Sequence, residues 1–165
     1  MSPRVVDKPA FNVIGRTKQF TTSNGANFRL IPLWWNEFLN SPDCQKLTAL
    51  SHQQPGKVTG ETLLGIDFGS PESEEFSYGI GVELPEDSPQ EAFIKMNIAA
   101  ATWAIFDCTL DKMQETYKYI FSEWFPSSGY VHDFVPHLEV YLPETSGEKM
   151  KCELWIPVIK KKPVI

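Results

Sequence analysis

An acid and an indole two positions apart, Glu153 and Trp155 in MKCELWIPV, carry the clearest chemical potential in this sequence. Positions i and i+2 of a strand share a face, and Cys152, Leu154 and Ile156 alternate with them as the buried set. A carboxylate beside a ring suits an organic cation: charge offsets charge, and each ring face adds roughly 0.5 to 2 kcal/mol of cation–π attraction once water is excluded. A strand glutamate more often faces solvent, since Glu is rarely buried unpaired, and it is Trp155 that argues for a lined cavity. Trp35, Tyr78, Trp103, Tyr117, Phe121 and Tyr141 are the further candidate walls. Tyr117 and Phe121 sit on a helical stripe with Ile120 and Trp124, where plain core packing competes with a ligand role; Trp124 and Ile120 read as core. Ring stacking and dispersion are weakly directional, so such a site is expected to accept many apolar shapes.

Other chemistry finds little support. His132 and His137 flank VHDFVPH, an irregular segment with no compact zinc spacing, and are expected on a surface loop together with His52 on another. No Gly-x-Ser-x-Gly elbow, phosphate loop or dinucleotide fingerprint occurs, and Gly79-Ile80-Gly81 reads as strand glycines. No catalytic residue, cofactor or metal ligand is therefore assigned.

Composition narrows the class. The 165 residues suffice for one domain, residues 1–165, and 42% hydrophobic against 22% charged residues is the balance of a globular chain. A formal charge of −6 repels phosphate backbones and attracts cations, which disfavours direct nucleic-acid binding. The lysines at 160, 161 and 162 read as a solubilising tail. No apolar run approaches the roughly 20 residues of a membrane span and no signal core is present, so a cytoplasmic protein with no membrane contact is expected. Cys44, Cys108 and Cys152 are expected as buried free thiols.

The elements that must position these residues fall into two runs. A strand over residues 11–16 follows a short arm, and Ile31, Trp34, Trp35, Phe38 and Leu39 recur at helical spacing, with Asn24 or Asn27 as cap and Pro32 in the first turn. Residues 51–61 read as a loop, and residues 63–68 and 75–84 as strands. In the latter Phe76, Tyr78, Ile80, Val82 and Leu84 share one face while Gly79 and Gly81 leave the other nearly bare. Residues 85–89 (PEDSP) form a linker. Strands follow near residues 93–98 and 102–108, then a helix capped by Asp111 and Gln114 and ended by Pro126, then strands near 138–142 and 150–159. Each run reads strand, helix, strand, strand, which predicts an α+β fold of two duplicated halves, about 8–85 and 90–160, with pseudo-two-fold symmetry, an antiparallel sheet, two main helices and a cleft between the halves. Aligning Ile80 with Leu154 sets Gly79 and Gly81 against Glu153 and Trp155, so that the acid and indole would face two glycines.

ATWAIFDC (101–108), YKYIFSEWFPSSGY (117–130), LEVYLP (138–143) and CELWIPV (152–158), with FSYGIGVE (76–83) in the first run, resemble the GyrI-like, or AraC-type effector-binding, small-molecule domains. The resemblance covers most of the chain. It implies the duplicated strand-helix-strand-strand (SHS2-type) fold, a ligand cleft between the halves, and a glutamate at the position of Glu153 that meets cationic drugs. Members are usually fused to a helix-turn-helix region, for which there is no room before Phe11, so the chain looks like a stand-alone sensor or sequestering module similar to those on mobile gene cassettes. Two rivals remain open: hydrolysis of strained cyclopropyl electrophiles in the same cleft, or a protein-interaction role such as gyrase inhibition or partnership with a transcription regulator.

Overall fold

The computed structural model describes residues 2–84, 92–133, 136–143 and 147–163; the PEDSP linker lies outside them. Among the described residues nine strands form one antiparallel sheet: β1 (Arg4–Lys8), β2 (Phe11–Thr21), β3 (Leu63–Asp67), β4 (Glu75–Glu83), β5 (Ile94–Ile98), β6 (Ala101–Thr109), β7 (Tyr130–His132), β8 (His137–Tyr141) and β9 (Lys151–Lys160). Their order is β1-β6-β9-β8-β3-β4-β2-β5, with β7 added to the far end of β9. The order is symmetric about the β3·β8 seam. On one side β2 and β4 lead to β3, on the other β6 and β9 lead to β8, and the strand preceding each set crosses to the opposite one, β1 onto β6 and β5 onto β2. The short arm before Phe11 thus contains a strand, β1.

Helices α1 (Ala26–Leu39) and α2 (Pro42–Gln53) follow β2, and α3 (Met113–Tyr119) follows β6. The expected helix around Trp35 forms, but it starts at Ala26 behind Gly25 at φ 68°, so Pro32 lies inside it and not in its first turn. Leu39, placed on its apolar stripe, is 50% exposed, whereas Phe38 is buried. Residues 51–53, read as loop, end α2; Ser41 caps that helix by accepting from the Cys44 amide, with Pro42 in its first turn. Beyond α3 the chain continues through a π-helical segment, Ile120–Trp124, into α4 (Phe125–Ser127). Pro126 has no N–H to return to the Ser122 carbonyl, which removes an α-helical bond where the winding loosens.

Strand alternation sorts the core onto two faces. The helices cover one. Ile14, Tyr78, Ile80 and Val82 pack under α1 and α2, and Ala104, Phe106, Leu154 and Ile156 under α3 and its extension. The opposite face carries a single cluster of Val13, Leu64, Ile66, Met96, Trp103, Ile105, Leu138, Val140 and Trp155. Val58, in the loop over residues 54–62, packs against this cluster together with Val6, Phe68 and Leu142. That loop is pinned by Glu83, whose carboxylate accepts the amides of Val58 and Thr59 and the Thr59 hydroxyl. Gly79 and Gly81 are not bare: a Cβ on Gly81 would strike the Ile14 carbonyl, and one on Gly79 would lie 2.6 Å from the Met96 sulfur.

Ile120 is fully buried, and Trp124 is half-buried, edge-on to Phe106 at 5.1 Å and stacked on Tyr130 at 5.9 Å. Phe106→Ala should lower stability by about 3 to 5 kcal/mol and Trp124→Ala by less, because only the first empties a closed volume. Urea denaturation of both variants checks the ranking.

Candidate functional site

The β3·β8 seam brings acidic and phenolic groups together on the helix-covered face. In β8, Leu138 and Val140 enter the opposite core, so His137, Glu139 and Tyr141 point toward the helices. Glu139 accepts three phenolic hydrogen bonds: Tyr78 at 2.5 Å and Tyr141 at 3.0 Å on Oε1, and Tyr117 at 3.0 Å on Oε2. Tyr78 comes from β4, Tyr141 from β8 and Tyr117 from α3. Trp35 of α1 donates its indole N–H to the Tyr78 hydroxyl at 2.9 Å and meets the Tyr141 ring edge-on at 4.8 Å. Since Tyr78 receives from Trp35, its own proton goes to Glu139.

Room for this cluster comes from Gly65, directly opposite Glu139 in the β3·β8 register. A Cβ there would overlap the Tyr78 hydroxyl and lie 2.7 Å from Glu139 Oε1. Burial, then the nearby Glu139 charge, pushes the hydroxyls of Tyr78, Tyr117 and Tyr141 well above the ordinary phenol range, so all three stay protonated donors. Among the described residues no lysine or arginine pairs with Glu139. Two positions along, Asp67 of β3 faces His137, with Oδ2 3.0 Å from Nε2, and the His137 ring lies 5.6 Å from that of Tyr117. His132 and His137, expected on a surface loop, instead occupy β7 and β8 and are half-buried, their rings 6.1 Å apart; Phe134 and Val135 between them lie outside the described residues.

The eight residues singled out in the sequence divide between the two faces. Trp35, Tyr78, Tyr117 and Tyr141 meet around Glu139. Phe121 is 43% exposed on the helical extension, against Phe125 and His132. Glu153, Trp155 and Trp103 lie on the opposite face, where Trp103 is fully buried and Trp155 nearly so, 5.8 Å apart. There the chain supplies its own cations: Arg4 of β1 binds Glu153 at 2.7 Å, and Lys8 sits 5.6 Å from the Trp155 ring. Trp155 donates its indole N–H to Glu153 at 3.1 Å. Glu139 and Gly65 were missed, although Glu139 and Tyr141 stand two apart between buried residues in LEVYLP, the same signal that singled out Glu153 and Trp155.

Among the described residues no group of three or more His, Cys, Asp or Glu could hold a metal ion, and no helix is long and apolar enough to cross a membrane. The family model described as the GyrI-like small molecule binding domain matches residues 1–159. Several solved structures share the fold, among them the following three. SAV2435 bound to tetraphenylphosphonium is 18% identical with a TM-score of 0.75, over 96% of this chain and 94% of that one. A candidate bacterial transcription regulation protein of Staphylococcus aureus MU50 is 18% identical with a TM-score of 0.73, over 96% and 98%. An integron cassette protein from the mobile metagenome of Vibrio cholerae is 15% identical with a TM-score of 0.61, over 96% of each. No curated protein sequence matches significantly.

Two measurements test this geometry. Gly65→Ala should lower the melting temperature and diminish the near-ultraviolet circular dichroism of the tyrosine cluster. Gly129→Ala, where a Cβ would meet nothing within 4 Å, should change neither. Burial drives the Asp67 carboxyl upward, but the His137 hydrogen bond and charge, with the Gly69 amide, bring it below the ordinary range. A carboxyl depressed by folding stabilises fully above its unfolded value of about 3.9, and that contribution is lost as pH falls through the lower folded value. Asp67→Asn should therefore flatten the acid limb of the stability curve below about pH 4, measured by denaturant titration.

Proposed function

Because the chain belongs to the GyrI-like small-molecule-binding domain family, we propose that it binds apolar organic cations over the β3·β8 seam, with Glu139 as the counter-charge and Trp35, Tyr78, Tyr117 and Tyr141 as the aromatic surround. The observation that carries this reading is the half-buried Glu139 carboxylate held by three neutral phenols with no cationic side chain paired to it among the described residues. The phenols fill part of its acceptor capacity and fix its direction, but supply no positive charge. A lipophilic cation would supply that charge and meet ring surface at the same place. A neighbour of this fold bound to tetraphenylphosphonium supports the ligand class. Such a domain would act as a sensor or a sequestering module.

Glu153 is the less favourable counter-charge because Arg4 already engages it. The two glutamates are separated by titrating Glu139→Gln, Glu153→Gln and the parent with tetraphenylphosphonium and with neutral triphenylphosphine oxide, following tryptophan fluorescence. Losing a charge-assisted partner should cost the cation about 1.5 to 3 kcal/mol in Glu139→Gln, roughly ten- to a hundredfold in affinity. The neutral probe should be little affected, and Glu153→Gln should bind the cation like the parent. Undiminished cation binding in Glu139→Gln, or a loss confined to Glu153→Gln, would overturn the assignment.

A further inference from the structure

A second chemically distinct pair lies one strand from Tyr141. Cys108 of β6 and Cys152 of β9 are direct partners in the antiparallel register, both on the helix-covered face, with sulfurs 3.4 Å apart. Residues opposite one another in such a pair have Cα atoms about 4.5 to 5.5 Å apart, inside the range of about 4.4 to 6.8 Å that a disulfide spans. The sulfurs need only rotate toward each other, without a shift of strand register. Their environments differ. Cys152 is 1% exposed, while Cys108, next to the end of β6, keeps partial contact with solvent, contrary to the expectation that all three thiols are buried.

We infer that Cys108 and Cys152 form a reversible redox pair in which Cys108 meets a peroxide-class oxidant and Cys152 resolves it as a disulfide. The Cys108 thiolate attacks a peroxide oxygen, the O–O bond breaks, and the departing alkoxide or hydroxide takes a proton. Cys108 is then a sulfenic acid, oxidised by two electrons. The Cys152 sulfur attacks the Cys108 sulfur, the S–S bond forms, and the hydroxyl leaves as water with the proton from Cys152. Two thiols and one peroxide thus yield one disulfide, one alcohol or water, and one further water.

The contacts suit this division of roles. The contact between the two sulfurs lowers the Cys108 thiol below its ordinary range despite opposing burial, and the same contact, followed by burial, raises Cys152. The more acidic thiol is therefore also the more accessible one, as an attacking cysteine must be. Cys152 stands opposite Tyr141 in the β8·β9 register, so the pair adjoins the phenol cluster without belonging to it. Cys44, on α2, is buried apart from both and serves as an internal control.

The test treats the folded parent with hydrogen peroxide and follows free thiols, intact mass and a non-reducing peptide map. The parent and Cys44→Ser should each lose two thiols and the mass of two hydrogens, show a linked 108–152 peptide, and recover fully with dithiothreitol. Cys152→Ser should stop at a dimedone-reactive Cys108, and Cys108→Ser should lose no thiol at that dose. Independent oxidation of Cys108 and Cys152 without a linked peptide, or first attack at Cys152 in Cys108→Ser, would overturn the inference. These readouts use no ligand, so they stand or fall apart from the cation-binding proposal.

Discussion

A carboxylate set against a sheet must find donors for its oxygens, and much of this fold converges on meeting that demand at Glu139. Its three donors arrive from β4, β8 and α3, elements on both sides of the seam where β8 meets β3. Each hydroxyl, once committed to the carboxylate, also fixes the orientation of its ring. Trp35 extends the restraint by one more bond, tying α1 to Tyr78. Gly65 is the geometric condition for all of it, since a larger residue would displace the atoms that meet there. A polar knot of this kind specifies its arrangement more strictly than apolar packing, because each lost bond leaves a desolvated group behind.

The two glutamates show where the sequence informs and where it does not. Glu139-Val140-Tyr141 and Glu153-Leu154-Trp155 are the same pattern, an acid and an aromatic sharing a strand face around a buried aliphatic residue. Alternation gives the pairing within each strand correctly. It does not say which face of the sheet the helices cover, nor that Arg4, 149 residues away, returns as a neighbour of Glu153. Both depend on the strand order, which no local periodicity carries. The elements themselves were legible wherever their period was clean: β4, β6, β8 and β9 fall close to their expected places. The strand order is symmetric about the β3·β8 seam, while a second helix, α2, enters the first run and a further strand, β7, the second.

The misses have local causes. α2 has a weak apolar stripe and a polar C-terminal end, and its clear sequence signal is the cap at its start, Ser41-Pro42-Asp43. β7 has only three residues, too short for any period to emerge. His132 and His137 were placed at the surface because a proline stands between them, yet His137 opens β8 and its position opposite Asp67 is set by pairing across the seam. The family signature is spread over several segments of the chain, whereas the Glu153–Trp155 pattern lies in one and recurs at Glu139–Tyr141.

The crossing of β1 onto β6 bears on how the protein is made. Arg4 pairs with Ile105, so β1 emerges from a ribosome about a hundred residues before its partner. At the usual pace of synthesis, about 5 to 20 residues per second, that strand waits roughly 5 to 20 s with its backbone unpaired. Its sequence, RVVDK, carries charge at both ends, the composition that keeps a solitary strand from joining a neighbour of the wrong chain. β2, β3 and β4, by contrast, pair among residues 13–83, close together in sequence. The strand with the longest wait for its partner is thus one whose composition resists a wrong one.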